Sequence, residues 1–288
     1  MADPASQHSV TAQNSMDAYS PAQMAARVES VGVYKAHLPP MQMTMLGIMA
    51  GAFISLGAMN YLFTLAQGLP KLAAAVTFCL GLVLVIIGGA ELFTSNNLLA
   101  MAWAQRKVST KLMLRNWMWI WLANMIGAFG TVALGYFAGI LHAVDMNVGI
   151  QAIKIASSKA GLGFSEAFFR GILCNALVCM AVWLVFAART VADKILALLF
   201  PITAFVSMGF EHCIANMFII PLGMLAAADP AIAAAAHVTP EVLATLSWGN
   251  FVQNIVAATL GNIIGGSVLV ALMYYLVYLR GQAGQNSH

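Results

Sequence analysis

Residues 209–217 read GFEHCIANM and residues 88–97 read GGAELFTSNN, and these polar stretches interrupt two of the most apolar parts of the chain. A membrane-crossing helix needs roughly twenty apolar residues. The apolar tracts 71–105 and 195–227 are each too long for one straight crossing and too short for two with a turn. A helix broken near its middle, crossing once, accounts for both lengths. Laid over each other, the two breaks align Gly89-Ala-Glu91 with Gly209-Phe-Glu211 and Asn96 with Asn216, a shared Gly-x-Glu-x4-Asn. Around them, GIMAGAF from Gly47 matches GILCNAL from Gly171, and Asn124-x-x-Gly127 matches Asn262-x-x-Gly265. Each half is read as three spans with the middle one broken. Three is odd, so the second copy enters the bilayer from the opposite side, giving an inverted repeat.

The composition agrees. Of 288 residues, 61% are hydrophobic and 8% charged, with mean hydropathy +0.84, against roughly 25% charged in a soluble domain. The reading is an all-α membrane protein with plain spans at about 41–66, 115–141, 164–188 and 246–279, besides the two broken ones. Repeat one covers about 41–141 and repeat two about 164–279, within a channel domain 41–279 flanked by tails 1–40 and 280–288. With both termini inside, nine basic residues (Arg27, Lys35, Arg106, Lys107, Lys111, Arg115, Arg189, Lys194, Arg280) face the cytoplasm, and four (Lys71, Lys154, Lys159, Arg170) face outward. That asymmetry follows the positive-inside rule. The first forty residues show no basic segment leading into a short apolar run, so no cleavable signal peptide is expected. Met24, Val28 and Val31 share one face of an amphipathic stretch expected to lie on the membrane surface. The four cysteines, Cys79, Cys174, Cys179 and Cys213, fit neither a disulfide framework nor a zinc site. No basic run interleaved with aromatics points to nucleic acid.

Non-helical backbone survives in hydrocarbon only where protein or a water-lined cavity surrounds it. Two inverted breaks therefore meet near the midplane, where a solute would pass. The half-helix after each break aims free N–H groups and a positive dipole end inward. Ser95, Asn96 and Asn97 are candidate caps. Glu91 and Glu211 have a structural role, accepting hydrogen bonds from unwound backbone and a neighbouring amide. His212 is the ionisable group that stands out: a histidine in a helix break inside a membrane is a functional candidate.

At these residues the chain resembles the formate/nitrite transporter family, through AELFTS (90–95), GFEHCIANM (209–217), LGNIIGG (260–266) and GVYKAHLP (32–39). GVYKA, NMFIIPLGM and GNIIGG resemble its formate branch. The resemblance implies a homopentamer in a bacterial inner membrane, each protomer with an aquaporin-like pathway and cytoplasmic termini. It implies a periplasmic slit of Phe78 and Phe205, a cytoplasmic slit of Leu82, Leu92 and Val178, and a central site of His212 with Thr94, Asn175, Asn262 and Glu211. Lys159 matches a vestibule lysine that attracts anions. Read without the family, the slit residues are ordinary packing and Lys159 a solvated loop lysine. Residues 1–20 and 281–288 carry no family pattern, so gating at the N-terminal tail, by itself or a cytoplasmic partner, stays open.

A bare carboxylate in a dry slit costs on the order of tens of kcal/mol. An imidazole, with an ordinary pKa near 6.5, offers either a compensating charge or a proton. Burial penalises both charged forms, which brings proton transfer from imidazolium to formate within reach. The expected function is pH-dependent, bidirectional transport of formate, with nitrite or hydrosulfide as alternatives within the same apparatus and acetate or lactate as further small acids. The alternative from another class is a membrane-embedded redox enzyme subunit. Haem or zinc would need second ligands, and His8, His37, His142, His237 and His288 sit in tails or near span ends. The expectation is a transporter rather than an enzyme, with no cofactor and no metal.

Overall fold

The computed structural model describes residues 17–280, and every regular element among them is helical. Expectations for the extreme tails fall outside the described residues. The first helix, Pro21–Ala36, begins at a capping box in which Ser20 Oγ accepts the Gln23 N–H and Gln23 Oε1 accepts the Ser20 N–H. Its apolar face is covered by protein rather than lipid: Met24, Ala25 and Val28 are buried in one cluster with Leu98, Ala100 and Met101, while Val31 is half-buried. The expected membrane-surface helix is thus docked on the chain itself. The Tyr19 ring ahead of it lies under the guanidinium groups of Arg27 and Arg189, at 3.9 and 3.6 Å.

Among the described residues five helices are long and apolar enough to cross a membrane: Pro40–Ala66, Lys71–Gly88, Thr110–Phe137, Phe164–Val185 and Trp248–Tyr278; Cys213–Ala227 is a shorter apolar helix. The third starts before the expected residue 115 because Ser109 Oγ accepts the Leu112 N–H and opens the helix there. It ends at Phe137, just before Gly139 at φ 71°. Residues 264–272 of the last span wind as a π-helix through Gly265 and Gly266. Nothing in the apolar pattern signalled it.

Helix pairs approach backbone to backbone. A Cβ on Gly51 would lie 2.0 Å from the Asn124 carbonyl oxygen, and one on Gly127 2.0 Å from that of Ile48. In the second half, Gly261 and Gly265 press against Phe168 and Ile172 at 2.2 and 2.1 Å in the same sense. Small residues at such crossings bring membrane helices together where apolar burial alone supplies no drive.

The longest helix missed lies between the third and fourth long spans, and two short ones, Pro230–Ala235 and Pro240–Ala244, were also not foreseen. Residues 147–160, read as loop, form Asn147–Ala160 and bury Val148, Ala152, Ile153 and Ala156. It packs on Cys213–Ala227, as Pro21–Ala36 packs on residues 97–104. Lys159 therefore belongs to a helix's last turn, not to a solvated loop.

Candidate functional site

Both breaks are built by the same bonds. Gly89 (φ 75°) and Gly209 (φ 72°) end the first half-helices in the left-handed conformation that glycine adopts freely. The next N–H groups turn back on the helix, Ala90 to the Val85 oxygen (2.9 Å) and Phe210 to the Phe205 oxygen (3.0 Å). The glutamate N–H groups reach across to a neighbouring span, Glu91 to Leu46 (3.1 Å) and Glu211 to Arg170 (3.5 Å).

Side-chain amides replace the missing helical ladder. Asn124 Oδ1 accepts the Phe93 N–H (2.9 Å), and its Nδ2 donates to the Gly47 and Glu91 oxygens (2.7 and 2.9 Å). Asn262 Oδ1 likewise accepts the Cys213 N–H (3.0 Å), and its Nδ2 donates to the Gly171 and Glu211 oxygens (2.8 and 2.9 Å). Asn262 was expected to supply hydrogen bonds to a solute; its amide is occupied by the backbone of the break.

The carboxylates carry the second layer. Glu91 accepts from Asn96 Nδ2 (2.8 Å) and meets Lys35 Nζ (3.0 Å). Glu211 accepts from Asn216 and Asn254 Nδ2 (2.6 and 3.0 Å) and meets Lys159 Nζ (2.8 Å). Asn116 and Asn254 then donate to the carbonyls of Lys35 and Lys159, both at 3.0 Å. The glutamate carboxylates thus take the neighbouring amides expected, with a lysine in place of the unwound backbone. Glu211 is fully buried, and a buried charge is tolerable only when so paired.

Within this frame the two copies differ. Where the first break has Leu92, the second has His212; both precede the half-helix. Leu92 offers no side-chain cap, and Ser95 and Asn96, expected as caps, lie inside the helix. His212 is the cap of its half-helix: Nδ1 accepts the Ala215 N–H at 3.1 Å. That bond fixes the tautomer. A nitrogen that accepts carries no proton, so the neutral ring holds its hydrogen on Nε2 and donates it to Thr94 Oγ1, 3.0 Å away. Thr94 comes from the other break, so the two meet at this hydrogen bond.

The His212 ring stacks on Phe205 (5.8 Å between centroids, 20°), and Phe205 meets Phe78 edge-on at 5.8 Å. All three line a cavity of about 140 Å³ with Lys71, Lys159 and Arg170. A second cavity of about 230 Å³ is lined by Arg27, Lys35, Lys194, Glu91 and Ser95. No residue lines both. Leu82, Leu92 and Val178 line neither and are buried together in the core. Asn175 reaches the backbone of the first break, its Nδ2 lying 3.2 Å from the Thr94 oxygen and 2.7 Å from that of Asn262. Lys35, Lys71, Arg170, Asn116 and Asn254 were not singled out from sequence. The register that pairs Gly47 with Gly171 also pairs Lys35 with Lys159, and the one that pairs Asn124 with Asn262 pairs Asn116 with Asn254; the signal was present.

Two broken helices joined at a buried polar hydrogen bond, with a cation-lined cavity on either break, define an all-helical membrane protein built around a solute pathway. The family model described as formate/nitrite transporter matches residues 22–276. The chain is 37% identical over 286 residues to the formate channel FocA of Escherichia coli (strain K12), covering 96% of this chain and 99% of that one. It is also 37% identical to formate channel FocA of Haemophilus influenzae, covering 88% and 93%. Among solved structures it resembles a pentameric formate channel with formate bound (TM-score 0.76, 37% identity, 84% and 98% covered) and an FNT family ion channel (TM-score 0.75, 27% identity, 88% and 98% covered). The chain belongs to the formate/nitrite transporter family.

Proposed function

We propose that the protein is a formate channel: a homopentamer in the bacterial inner membrane, each protomer crossing six times as an inverted 3+3 repeat, with both termini cytoplasmic. The 37% identity to FocA across nearly the whole chain and the likeness to a pentameric formate channel support formate and the pentamer. The bond-for-bond matching of the two breaks supports the repeat. The observation that carries the reading is the Thr94–His212 bond, which ties an imidazole lining the same cation-rich cavity as Phe78 and Phe205 to the opposite break.

Cations in both cavities draw the anion in. Lys159 and Arg170 do so as parts of ion pairs, with Glu211 and Glu166, and Lys71 shares that task. The Phe78/Phe205 slit faces the periplasm, and Leu82, Leu92 and Val178 form the cytoplasmic one. Formate crosses these apolar contacts as the neutral acid, because desolvating the ion is prohibitive. His212 passes the proton. The ring must first take a proton from water onto Nδ1, which displaces the Ala215 N–H. The imidazolium Nε2 then gives its proton to a carboxylate oxygen, leaving neutral formic acid and a neutral ring with its hydrogen on Nδ1. The resting tautomer returns when Nε2 regains a proton from water and Nδ1 releases its own. Falling pH therefore favours uptake. Proteoliposome uptake of radiolabelled formate, competed with nitrite and hydrosulfide at several pH values, tests both parts. Stronger competition by nitrite or hydrosulfide overturns the substrate assignment. An unchanged pH profile in His212→Asn overturns the proton role while leaving the channel standing.

A further inference from the structure

Asn97 and Asn175 are fully buried, and their amides meet on one side only. Asn175 Nδ2 donates to Asn97 Oδ1 at 2.8 Å, while Asn97 Nδ2 and Asn175 Oδ1 have no hydrogen-bond partner. Buried amide groups are rarely left so. Turning either amide over makes matters worse. A reversed Asn175 would set its oxygen against the oxygens of Asn97, Thr94 and Asn262; a reversed Asn97 would set nitrogen against nitrogen. The pair thus keeps one free donor and one free acceptor.

Only one of the two copies of the scaffold carries this pair. The frame residues Glu91, Asn96, Asn116 and Asn124 all recur in the second half, but in the same register Asn97 becomes Met217 and Asn175 becomes Gly51. The second break closes without them. Like Leu92 against His212 and Thr94 against Ile214, the pair sits where the copies diverge. Asn175 also holds the carbonyl of Thr94, whose hydroxyl bonds His212.

We propose that Asn97 and Asn175 form a recognition point for a small protic solute that donates one hydrogen bond and accepts another: a neutral carboxylic acid, with water as its resting occupant. Formic acid satisfies both groups, its O–H on Asn175 Oδ1 and its carbonyl oxygen on Asn97 Nδ2. The formate anion has only acceptors and leaves Asn175 Oδ1 facing an oxygen. The pair thereby selects the protonated form, and Asn97 is a specificity-determining residue. This rests on the formate-channel reading above.

The test compares Asn97→Ala with Asn97→Ser, near-equal in size and differing by one donor, in proteoliposomes carrying pentamer verified by size exclusion. Radiolabelled formate uptake should fall roughly three- to tenfold in Asn97→Ala and largely recover in Asn97→Ser. The leak of nitrate, which stays unprotonated at these pH values, should be unchanged in both. Equal formate fluxes in the two variants, or parallel loss of formate and nitrate, would overturn the proposal by showing no role or a merely structural one. If Asn97→Ala does not assemble, Asn97→Val against Asn97→Thr makes the same comparison. A wild-type protein that moves no formate would sink the channel reading itself, before any variant is measured.

Discussion

Replacing Lys159 by methionine should be among the most damaging single changes in the membrane domain, and the damage should be reversible by a second mutation. The Lys159 side chain is 13% exposed and that of Glu211 1%. Removing the ammonium 2.8 Å from Glu211 Oε1 leaves a carboxylate facing only the amides of Asn216 and Asn254. An orphaned buried charge of this kind costs about 3–5 kcal/mol. At roughly 2–4 °C per kcal/mol for a chain of this class, the apparent Tm in detergent should drop on the order of 10 °C. Adding Glu211→Gln removes the charge but keeps a carbonyl oxygen for Asn216 and Asn254, so Lys159→Met/Glu211→Gln should regain most of the loss. The matching pair, Lys35 with Glu91, is more exposed at 21% and 6%, so Lys35→Met should cost less. Static light scattering or intrinsic fluorescence during a thermal ramp reads all four proteins. If Lys159→Met melts like wild type, or the double variant melts no higher than the single, the carboxylate is not held by that lysine and the argument fails.

Other substitutions probe the frame and the pathway. Gly89→Ala meets open space and only the left-handed backbone opposes it, so it should cost about 1 kcal/mol, whereas Gly51→Ala drives a Cβ into the Asn124 carbonyl and should abolish pentamer recovery in membrane extracts. Asn262→Leu breaks three hydrogen bonds at the second break and orphans buried backbone groups; a loss on the order of 3–5 kcal/mol is expected, visible as poor expression and a lowered apparent Tm. Thr94→Val removes the acceptor of the His212 Nε2–H and should reduce formate flux with little change in Tm, while Thr94→Ser should retain flux; equal fluxes in the two would show that the hydroxyl is idle.

Much of the architecture was legible in advance because polar residues inside apolar tracts are costly and so carry information. The Gly-x-Glu-x4-Asn repeat located both breaks, and the Asn-x-x-Gly pairs located the spans that clamp them. What escaped was set by tertiary contact. Helix Asn147–Ala160 is short and amphipathic, and its partner is not its neighbour in sequence. Lys159 looked like a loop lysine because a single cation gives no hint of the carboxylate that will face it. The tautomer of His212 depends on the Ala215 N–H, which a half-helix start supplies only once the backbone has folded. Asn262 entered the central site through the family resemblance, which does not tell an amide that binds cargo from one that holds backbone, as this one does.

The close fit of glycine backbones and the duplicated amide clamps leave few places where this molecule can change cheaply. Positions 92, 94, 97, 212, 214 and 217, where the two halves already carry different residues, are such places. Point substitutions there can refit the passage for another weak acid while the surrounding walls stay as they are. Diversity of cargo in a protein built this way should accordingly cluster at those sites, and altered preference should come without loss of assembly.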